Sequence, residues 1–162
     1  MKRFHVHLHV ADLAQSIGFY SRLFATQPAR QEPDYAKWML EDPPVNFAIS
    51  TPGQGTGIDH LGIQVDNDAE LAELKARASA AAGPVLDEGE TSCCYARSEK
   101  HWTTDPQGVA WEHFHTLGNI PVFGASKVAT ATATAGAGET ACCPPRGKPI
   151  AVPLKAAGSS CC

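Results

Sequence analysis

The feature that most constrains the fold of this chain is an internal repeat. The segment Phe4–Val10 (FHVHLHV) alternates polar and apolar residues, and Asp59–Val65 (DHLGIQV) resembles it. His5 and His60 hold equivalent places in the two segments, 55 residues apart (60 − 5). Such alternation is typical of a strand with one buried face. One module would leave a sheet face uncovered, so we predict an α+β fold in which duplicated βαβββ modules form a curved, barrel-like mixed sheet.

A helix is predicted after each of these strands. Asp12, followed by Gln15, has the pattern of a helix N-cap. Residues 68–82 carry a second helical pattern that ends before Gly83-Pro84. Further short strands are predicted, in chain order, at residues 36–40, 47–50, 94–97, 102–104 and 110–115. The segment Asp105–Gly108 (DPQG) has the composition of a type I turn and joins the last two strands.

The periodic patterns stop near residue 118. We interpret residues 1–118 as one folded domain, which is long enough to bury a hydrophobic core. Residues 119–162 are rich in Ala, Thr, Gly and Pro and contain no aromatic residue after Phe123. Because this composition buries little apolar surface, we predict that the segment is a low-complexity, disordered tail.

Charge and hydropathy exclude several classes of partner. The net charge is −4 and no Lys/Arg cluster is present, so we expect a small-molecule partner and no nucleic acid. No apolar run approaches the length of a membrane-spanning helix, so we expect no membrane partner. The basic N-terminal segment alternates instead of forming a continuous apolar core, which favours a cytoplasmic protein over a secreted one. We expect a monomer or a homodimer.

The repeat predicts a metal site. A pseudo-twofold arrangement of the modules brings His5 and His60 together inside the sheet. Glu112 lies between aromatic residues in the final predicted strand, where a carboxylate is costly to bury unless a cation pairs with it. Two imidazoles and one carboxylate leave coordination positions open for substrate or oxygen. We therefore predict that the sheet surrounds one divalent metal held by these three residues. Residues 46–49 of the related strand offer no His or carboxylate, so no fourth protein ligand is expected.

The other histidines leave alternatives open, since a single histidine in a strand is more often structural than a ligand. His7 and His9 share a face with His5, because side chains repeat with a period of two along a strand. They are candidates for lining the cavity, for orienting the ligands or for binding the metal directly. His113 is expected to point away from Glu112.

All six cysteines occur as adjacent pairs, at Cys93-Cys94, Cys142-Cys143 and Cys161-Cys162. Neighbouring Cα atoms are about 3.8 Å apart, whereas the Cα atoms of ordinary disulfides are roughly 4.4–6.8 Å apart. An adjacent pair is therefore a poor structural crosslink. It is suited instead to binding one soft, thiophilic atom with both sulfurs.

These motifs resemble a known family over residues 1–118. Similarity to the vicinal oxygen chelate superfamily of glyoxalases, bleomycin-resistance proteins and dioxygenases rests on Val10–Leu13, Ile17–Phe24, Asp59–Gly62, Asp105–Gly108 and Trp111-Glu112. Similarity to its cadmium-induced-protein and organoarsenical carbon–arsenic lyase branch rests on Tyr20–Phe24, Tyr35-Ala36, Asp42–Pro44, Thr91–Ala96 (TSCCYA) and Lys100–Trp102.

The narrower resemblance implies a non-haem Fe(II) dioxygenase of arsenic resistance. Such an enzyme uses O₂ to cleave the carbon–arsenic bond of trivalent methyl- or aryl-arsenicals and releases arsenite. The metal ligands of the family match His5, His60 and Glu112. Its arsenic-binding pair matches Cys93 and Cys94, and a lysine near its site matches Lys100.

Several roles stay open at this level. Lys100 either lowers the thiol pKa or holds an oxygen intermediate, or it is a solvated surface charge. Tyr95 and His7 are further candidates for catalytic or orienting roles. The remaining cysteines form either an auxiliary arsenic-capture site or part of a dispensable tail; they are Cys142, Cys143, Cys161 and Cys162.

Two other functions compete with carbon–arsenic cleavage. Another metalloenzyme of the superfamily, such as a glyoxalase or a fosfomycin thiol transferase, needs no dithiol loop. A protein that sequesters arsenic or cadmium without turnover needs thiols but has no use for a histidine–carboxylate metal site.

Overall fold

A computed structural model describes residues 1–51, 55–82 and 85–121 of the chain. The first module comprises β1 (Arg3–His9), α1 (Leu13–Leu23), β2 (Arg30–Glu32), β3 (Tyr35–Glu41) and β4 (Pro44–Ser50). The second comprises β5 (Gly57–Val65), α2 (Asp68–Ala82), β6 (Leu86–Cys93), β7 (Ala96–Thr104) and β8 (Ala110–Asn119). The order of elements is βαβββ in each module, which confirms the predicted duplication.

The strands of the described residues form one mixed sheet, in the order β2-β3-β4-β1-β5-β8-β7-β6. The modules meet where β1 pairs with β5 in antiparallel orientation. On either side of this pair, β1 lies parallel to β4 and β5 lies parallel to β8. The second module therefore repeats the first across a local twofold. The sheet curls into a half-barrel, as predicted.

The helices cover the outer face of this sheet. At the start of α1, the side chain of Asp12 accepts a hydrogen bond from the Gln15 N–H at 2.8 Å, as the sequence predicts. The apolar side chains that join α1 to the sheet are Leu13, Ile17, Tyr20 and Phe24, against Val6, Leu8, Trp38 and Phe47. In α2, Leu71 and Leu74 are buried beside Val65. An apolar side chain of this size contributes about 1.5–3 kcal/mol to the free energy of unfolding when it is fully buried. Because the helices cover the outer face, the inner face of the sheet is left for polar groups.

The β6–β7 hairpin differs from the prediction. β7 is continuous over Ala96–Thr104, whereas the pattern suggests separate strands at 94–97 and 102–104. Cys94 and Tyr95 form the two-residue turn before it, with φ angles of 54° and 62°. Such turns usually carry Gly or Asn, so Cys-Tyr gives no turn signature. β6 and the short β2 are the sheet edges, and their polar composition hides them from a search for hydrophobic periodicity.

The turn from β7 to β8 confirms the prediction. The Asp105 carbonyl accepts a hydrogen bond from the Gly108 N–H at 2.9 Å. The Asp105 carboxylate accepts two more from the backbone N–H groups of Gln107 and Val109, each at 2.9 Å. Within the described residues, no helix has both the length and the apolar character needed to cross a membrane.

The predicted tail falls largely beyond this part of the chain. β8 reaches Asn119, and residues from 122 onward lie outside the described residues. The same holds for the tail cysteine pairs, Cys142, Cys143, Cys161 and Cys162.

Gly62 of β5 allows the backbone of β8 to approach closely. It pairs with Glu112 in parallel register, and a Cβ atom at this position would overlap the Glu112 carbonyl. We expect Gly62→Ala to force the strands apart and to lower the free energy of unfolding by about 2–3 kcal/mol, as overpacking does in a dense core. Urea denaturation followed by circular dichroism measures the change.

Gly118→Ala is the matched control for this substitution. Gly118 lies in β8, the strand that Gly62 faces, but nothing stands within 4 Å of a Cβ atom built there. Its free energy of unfolding should stay near that of the wild type. A Gly62→Ala protein as stable as the Gly118→Ala protein would contradict the close approach.

Candidate metal centre and dithiol site

The inner face of the sheet encloses a cavity of about 430 Å³, including its open mouth. The predicted site residues that line it are His5, His7, His60, Cys93, Cys94, Lys100 and Glu112. Tyr95 is the predicted site residue of the described range that does not line this cavity; it lies in the adjoining turn. The fold therefore brings the proposed metal ligands and the proposed arsenic ligands to one place.

His5, His60 and Glu112 converge on a common point. The Nε2 atoms of the two histidines are 3.1 Å apart. Glu112 Oε2 lies 3.2 Å from His60 Nε2 and 3.6 Å from His5 Nε2. Ligand atoms in adjacent positions around a metal are about 3 Å apart when each bond is about 2.1 Å. All three side chains are buried, and the set fits a divalent cation that takes one atom from each.

Hydrogen bonds at the second ring nitrogen orient both histidines. His5 Nδ1 donates to the Asn46 carbonyl at 3.0 Å, and His60 Nδ1 donates to the Asp59 carboxylate at 2.6 Å. With the proton on Nδ1, the Nε2 lone pair of each ring points into the site. Burial, with repulsion from His60, lowers the pKa of His5 to about 3, so this imidazole is neutral and able to bind a metal.

Asp59 reaches the inner face through a β-bulge. The register between β1 and β5 shifts just after His7, which makes Asp59 an extra residue in the ladder. A bulge releases a side chain from strict alternation, so Asp59 and His60 point the same way although they are neighbours in sequence. Its carboxylate also lies 3.9 Å from His7 Nδ1 and 3.7 Å from His9 Nε2.

His7 offers a second way to complete a ligand set. One ring nitrogen from each of His5, His7 and His60 lies within 4.8 Å of the other two. His7 Nε2 is within 2.8 Å of the Ser50 hydroxyl. Burial, with repulsion from His60, holds the pKa of His7 well below its usual value. The site therefore contains two possible sets of metal ligands. Both include His5 and His60, and the third ligand is Glu112 in one set and His7 in the other.

Lys100 is buried, with 6% of its surface exposed, and so is not a solvated surface charge. Its ammonium donates a hydrogen bond to Glu112 Oε1 at 2.6 Å. Burial alone would raise the pKa of Glu112, but attraction from Lys100 and His60 outweighs it and holds this pKa well below its usual value. Burial would lower the pKa of Lys100, but the charges of Glu112, Cys93 and Cys94 raise it above its ordinary value. Lys100 thus interacts with both parts of the site.

The turn conformation brings the thiols of Cys93 and Cys94 together. Their sulfur atoms are 3.1 Å apart. Consecutive side chains of an extended strand point to opposite faces, and the left-handed backbone at Cys94 removes this restriction. Each left-handed residue costs about 1–2 kcal/mol relative to the ordinary conformation. Bonds of about 2.3 Å to one thiophilic atom would span the sulfur–sulfur separation.

Residues of the first module hold this turn. The Tyr95 hydroxyl donates to Asp34 at 2.7 Å. The Arg30 guanidinium donates to the carbonyls of Tyr95 and Ile120, each at 3.0 Å, and lies 4.8 Å from the centre of the Tyr95 ring. Burial, then the hydrogen bond to Asp34, raises the pKa of Tyr95 to about 12. Because Arg30 lies on the opposite sheet edge, these contacts close the sheet beside the dithiol.

Sequence reasoning does not identify Asp59, Asp34 or Arg30. Strict alternation from His60 places Asp59 on the outer face, and the bulge that reverses it has no sequence signature here. Its position directly before a predicted ligand is the available hint, because carboxylates often accept the second N–H of a metal-bound histidine. Asp34 and Arg30 contact Tyr95, which lies about 60 residues further along the chain. No local sequence pattern predicts contacts of this kind.

Comparison with known proteins identifies relatives in sequence. The Glyoxalase/Bleomycin resistance protein/Dioxygenase superfamily matches residues 2–113. A trivalent organoarsenical cleaving enzyme of Thermomonospora curvata is 36% identical over 165 residues, covering 100% of both chains. Another, from Bacillus sp. (strain MD1), is 43% identical over 121 residues, which are 72% of this chain and 74% of the relative. The cadmium-induced protein CadI of Mycobacterium bovis is 37% identical over 76% of this chain and 82% of its own.

Solved structures agree at the level of the fold. The Mn(II)-bound glyoxalase from Novosphingobium aromaticivorans has a TM-score of 0.54 at 16% identity, over 78% of this chain and 44% of its own. An extradiol ring-cleaving dioxygenase from B. fuscum has a TM-score of 0.54 at 15% identity, over 72% of this chain and 32% of its own. From the duplicated modules, the curled sheet and the sequence match, this chain belongs to the Glyoxalase/Bleomycin resistance protein/Dioxygenase superfamily.

Proposed function

We propose that this protein is a non-haem Fe(II) dioxygenase that cleaves the carbon–arsenic bond of trivalent organoarsenicals, such as methylarsenite and aromatic arsenicals, and releases arsenite. The observation that carries the proposal is that one cavity is lined by two groups of side chains. The first, the donor cluster, consists of His5, His60 and Glu112. The second, the dithiol, consists of the adjacent thiols of Cys93 and Cys94. Relatives named as trivalent organoarsenical cleaving enzymes support the same class of substrate.

The donor cluster suits Fe(II). Two neutral imidazoles and a carboxylate on one side of a metal leave coordination positions open for O₂. Fe(II) bound there would supply the activation of O₂. Glu112 would bind through Oε2, because Lys100 holds Oε1. We favour Glu112 over His7 as the third ligand, since Oε2 is already 3.2 Å from His60 Nε2. His7 Nε2, by contrast, is occupied by the Ser50 hydroxyl.

The thiol pair suits a trivalent arsenical. In RAs(OH)₂ the two hydroxyl groups are exchangeable and the carbon is not. Exchange with Cys93 and Cys94 would release two waters and leave the As–C bond intact, held beside the donor cluster. Thiolates are the reactive form, and the Lys100 ammonium favours them because opposite charges stabilise each other at short range. Holding the substrate covalently makes the following step intramolecular.

The competing functions each leave half of the cavity without a role. Sequestration of arsenic or cadmium needs Cys93 and Cys94 but gives no reason to bury a histidine–carboxylate cluster. A glyoxalase-type reaction uses such a cluster but gives no reason for two thiols in a left-handed turn.

Anaerobic titration of the metal-free protein with Fe(II) separates the two ligand sets. Glu112→Gln should weaken Fe(II) binding by at least about 100-fold, more than the loss of an orienting hydrogen bond costs, whereas His7→Gln should weaken it by about tenfold or less. Calorimetry measures both dissociation constants. The reverse order of effects would assign the metal to His5, His7 and His60.

Turnover of methylarsenite tests the reaction itself. One CH₃As(OH)₂ and one O₂ balance as arsenous acid and formaldehyde, so we expect equal amounts of the two products from protein loaded with Fe(II). Cys93→Ser should lower the rate by at least about 100-fold, because it removes the covalent positioning of the substrate, and should leave Fe(II) binding unchanged. Arsenite and formaldehyde are measured together by chromatography.

Serine at both Cys142 and Cys143 is the matched control for that variant, because it removes a second adjacent thiol pair outside the predicted domain. At saturating substrate its rate should equal that of the wild type. Arsenical binding without any arsenite release would favour sequestration. Full activity in Glu112→Ala would refute the metal-dependent mechanism.

A further inference from the structure

Lys37 of β3 lines the cavity but belongs to neither the donor cluster nor the dithiol. In the sheet it lies opposite Ala48, which lies opposite His7, which in turn lies opposite His60. Directly opposed residues point to the same face, so Lys37 shares the inner face with these histidines. The small side chain of Ala48 leaves space between Lys37 and His7.

No carboxylate of the described residues balances the charge of Lys37. Its ammonium forms no hydrogen bond and no ion pair with Asp or Glu in that part of the chain. Its cross-strand neighbour is Arg30, and opposed like charges destabilise a sheet. Arg30 has a carboxylate partner, Glu32, at 2.9 Å. Burial, and then Arg30, lower the pKa of Lys37, and a negative charge on Cys94 opposes this shift. Since Lys37 and Cys94 line the same cavity, the Cys94 thiolate is the anion that the site offers to this ammonium.

Arsenic binding would remove this anion. Two thiolates, two protons and one RAs(OH)₂ give one RAs(S-Cys)₂ and two waters. Two As–O bonds break, two As–S bonds form, and arsenic stays trivalent. The dithiol then carries no charge, while the ammonium of Lys37 remains in the cavity. Lys100 differs, because its ammonium donates to Glu112 Oε1 at 2.6 Å, and arsenic binding at the dithiol would not remove that carboxylate.

We propose that Lys37 selects organoarsenicals whose organic group carries an anionic substituent, such as a carboxylate or a phenolate. The selection rests on the proposed function, since it takes Cys93 and Cys94 as the arsenic-binding pair. The organic group of the bound arsenical lies in the cavity, where an anionic substituent would replace the lost thiolate as the counter-ion of Lys37. The favoured substrates are then acidic aromatic arsenicals, and methylarsenite would be held by the dithiol alone.

Binding to metal-free, full-length protein under anaerobic conditions tests the selection without turnover. The probes are phenylarsenite and its 3-carboxy and 4-carboxy derivatives, and tryptophan fluorescence reports the dissociation constants. We expect the wild type to bind the better carboxylated probe about tenfold more tightly than phenylarsenite, as a partly buried ion pair allows. In Lys37→Met this preference should vanish, with phenylarsenite affinity unchanged, and Lys37→Arg should restore it.

Lys75→Met is the matched control, because Lys75 lies on α2 in an exposed pair with Asp87. It should keep the preference of the wild type, and circular dichroism checks that each variant is folded. An unchanged preference in Lys37→Met would overturn the proposal. An equal loss of affinity for all probes would also overturn it and would give Lys37 the role of stabilising the thiolates. A wild type that binds none of the probes would instead refute the arsenic-binding function on which the proposal rests.

Discussion

The antiparallel pairing of β1 with β5 is the interaction on which the site depends. Because the modules meet there, His5 and His60 come within 3.1 Å of each other despite their separation in sequence. The strand parallel to β1 supplies the carbonyl of Asn46 that orients His5, and the strand parallel to β5 supplies Glu112. Gly62 lets that second strand approach. The donor cluster is thus a product of module symmetry and not of a local motif.

Lys100 couples the two parts of the cavity electrostatically. A buried ion pair adds little to stability, because desolvation of both charges offsets their attraction, yet loss of one partner leaves a charge that is costly to bury. The pair of Lys100 with Glu112 is therefore weak evidence for added stability, although removal of either partner would be costly. Since Glu112, Cys93 and Cys94 act on the same ammonium, a ligand that neutralises the thiolates changes the electrostatic field at the carboxylate. The two parts of the cavity therefore share one charged group.

The sequence predicts what repeats or alternates. The helix cap at Asp12, the span of α2 and the meeting of His5 with His60 follow from periodicity, and the structure confirms them. The sequence does not predict features that arise where the periodic pattern is interrupted. The bulge that turns Asp59 inward is one such feature, because a single extra residue reverses the faces of a strand. The edge strand β6 is another, since its pairing partner, not its own apolar pattern, makes it a strand.

The dithiol turn shows why local preference gives way at the site. Glycine would adopt the left-handed conformations of Cys94 and Tyr95 without strain, but it would offer neither a thiol nor a hydroxyl and would make the turn more mobile. Strain of this kind persists only where surrounding contacts fix the backbone. The hydrogen bonds of Tyr95 to Asp34 and of Arg30 to the Tyr95 carbonyl supply those contacts. The thiols are therefore held close together before any ligand binds, so little further ordering is needed when both sulfurs bond to one atom.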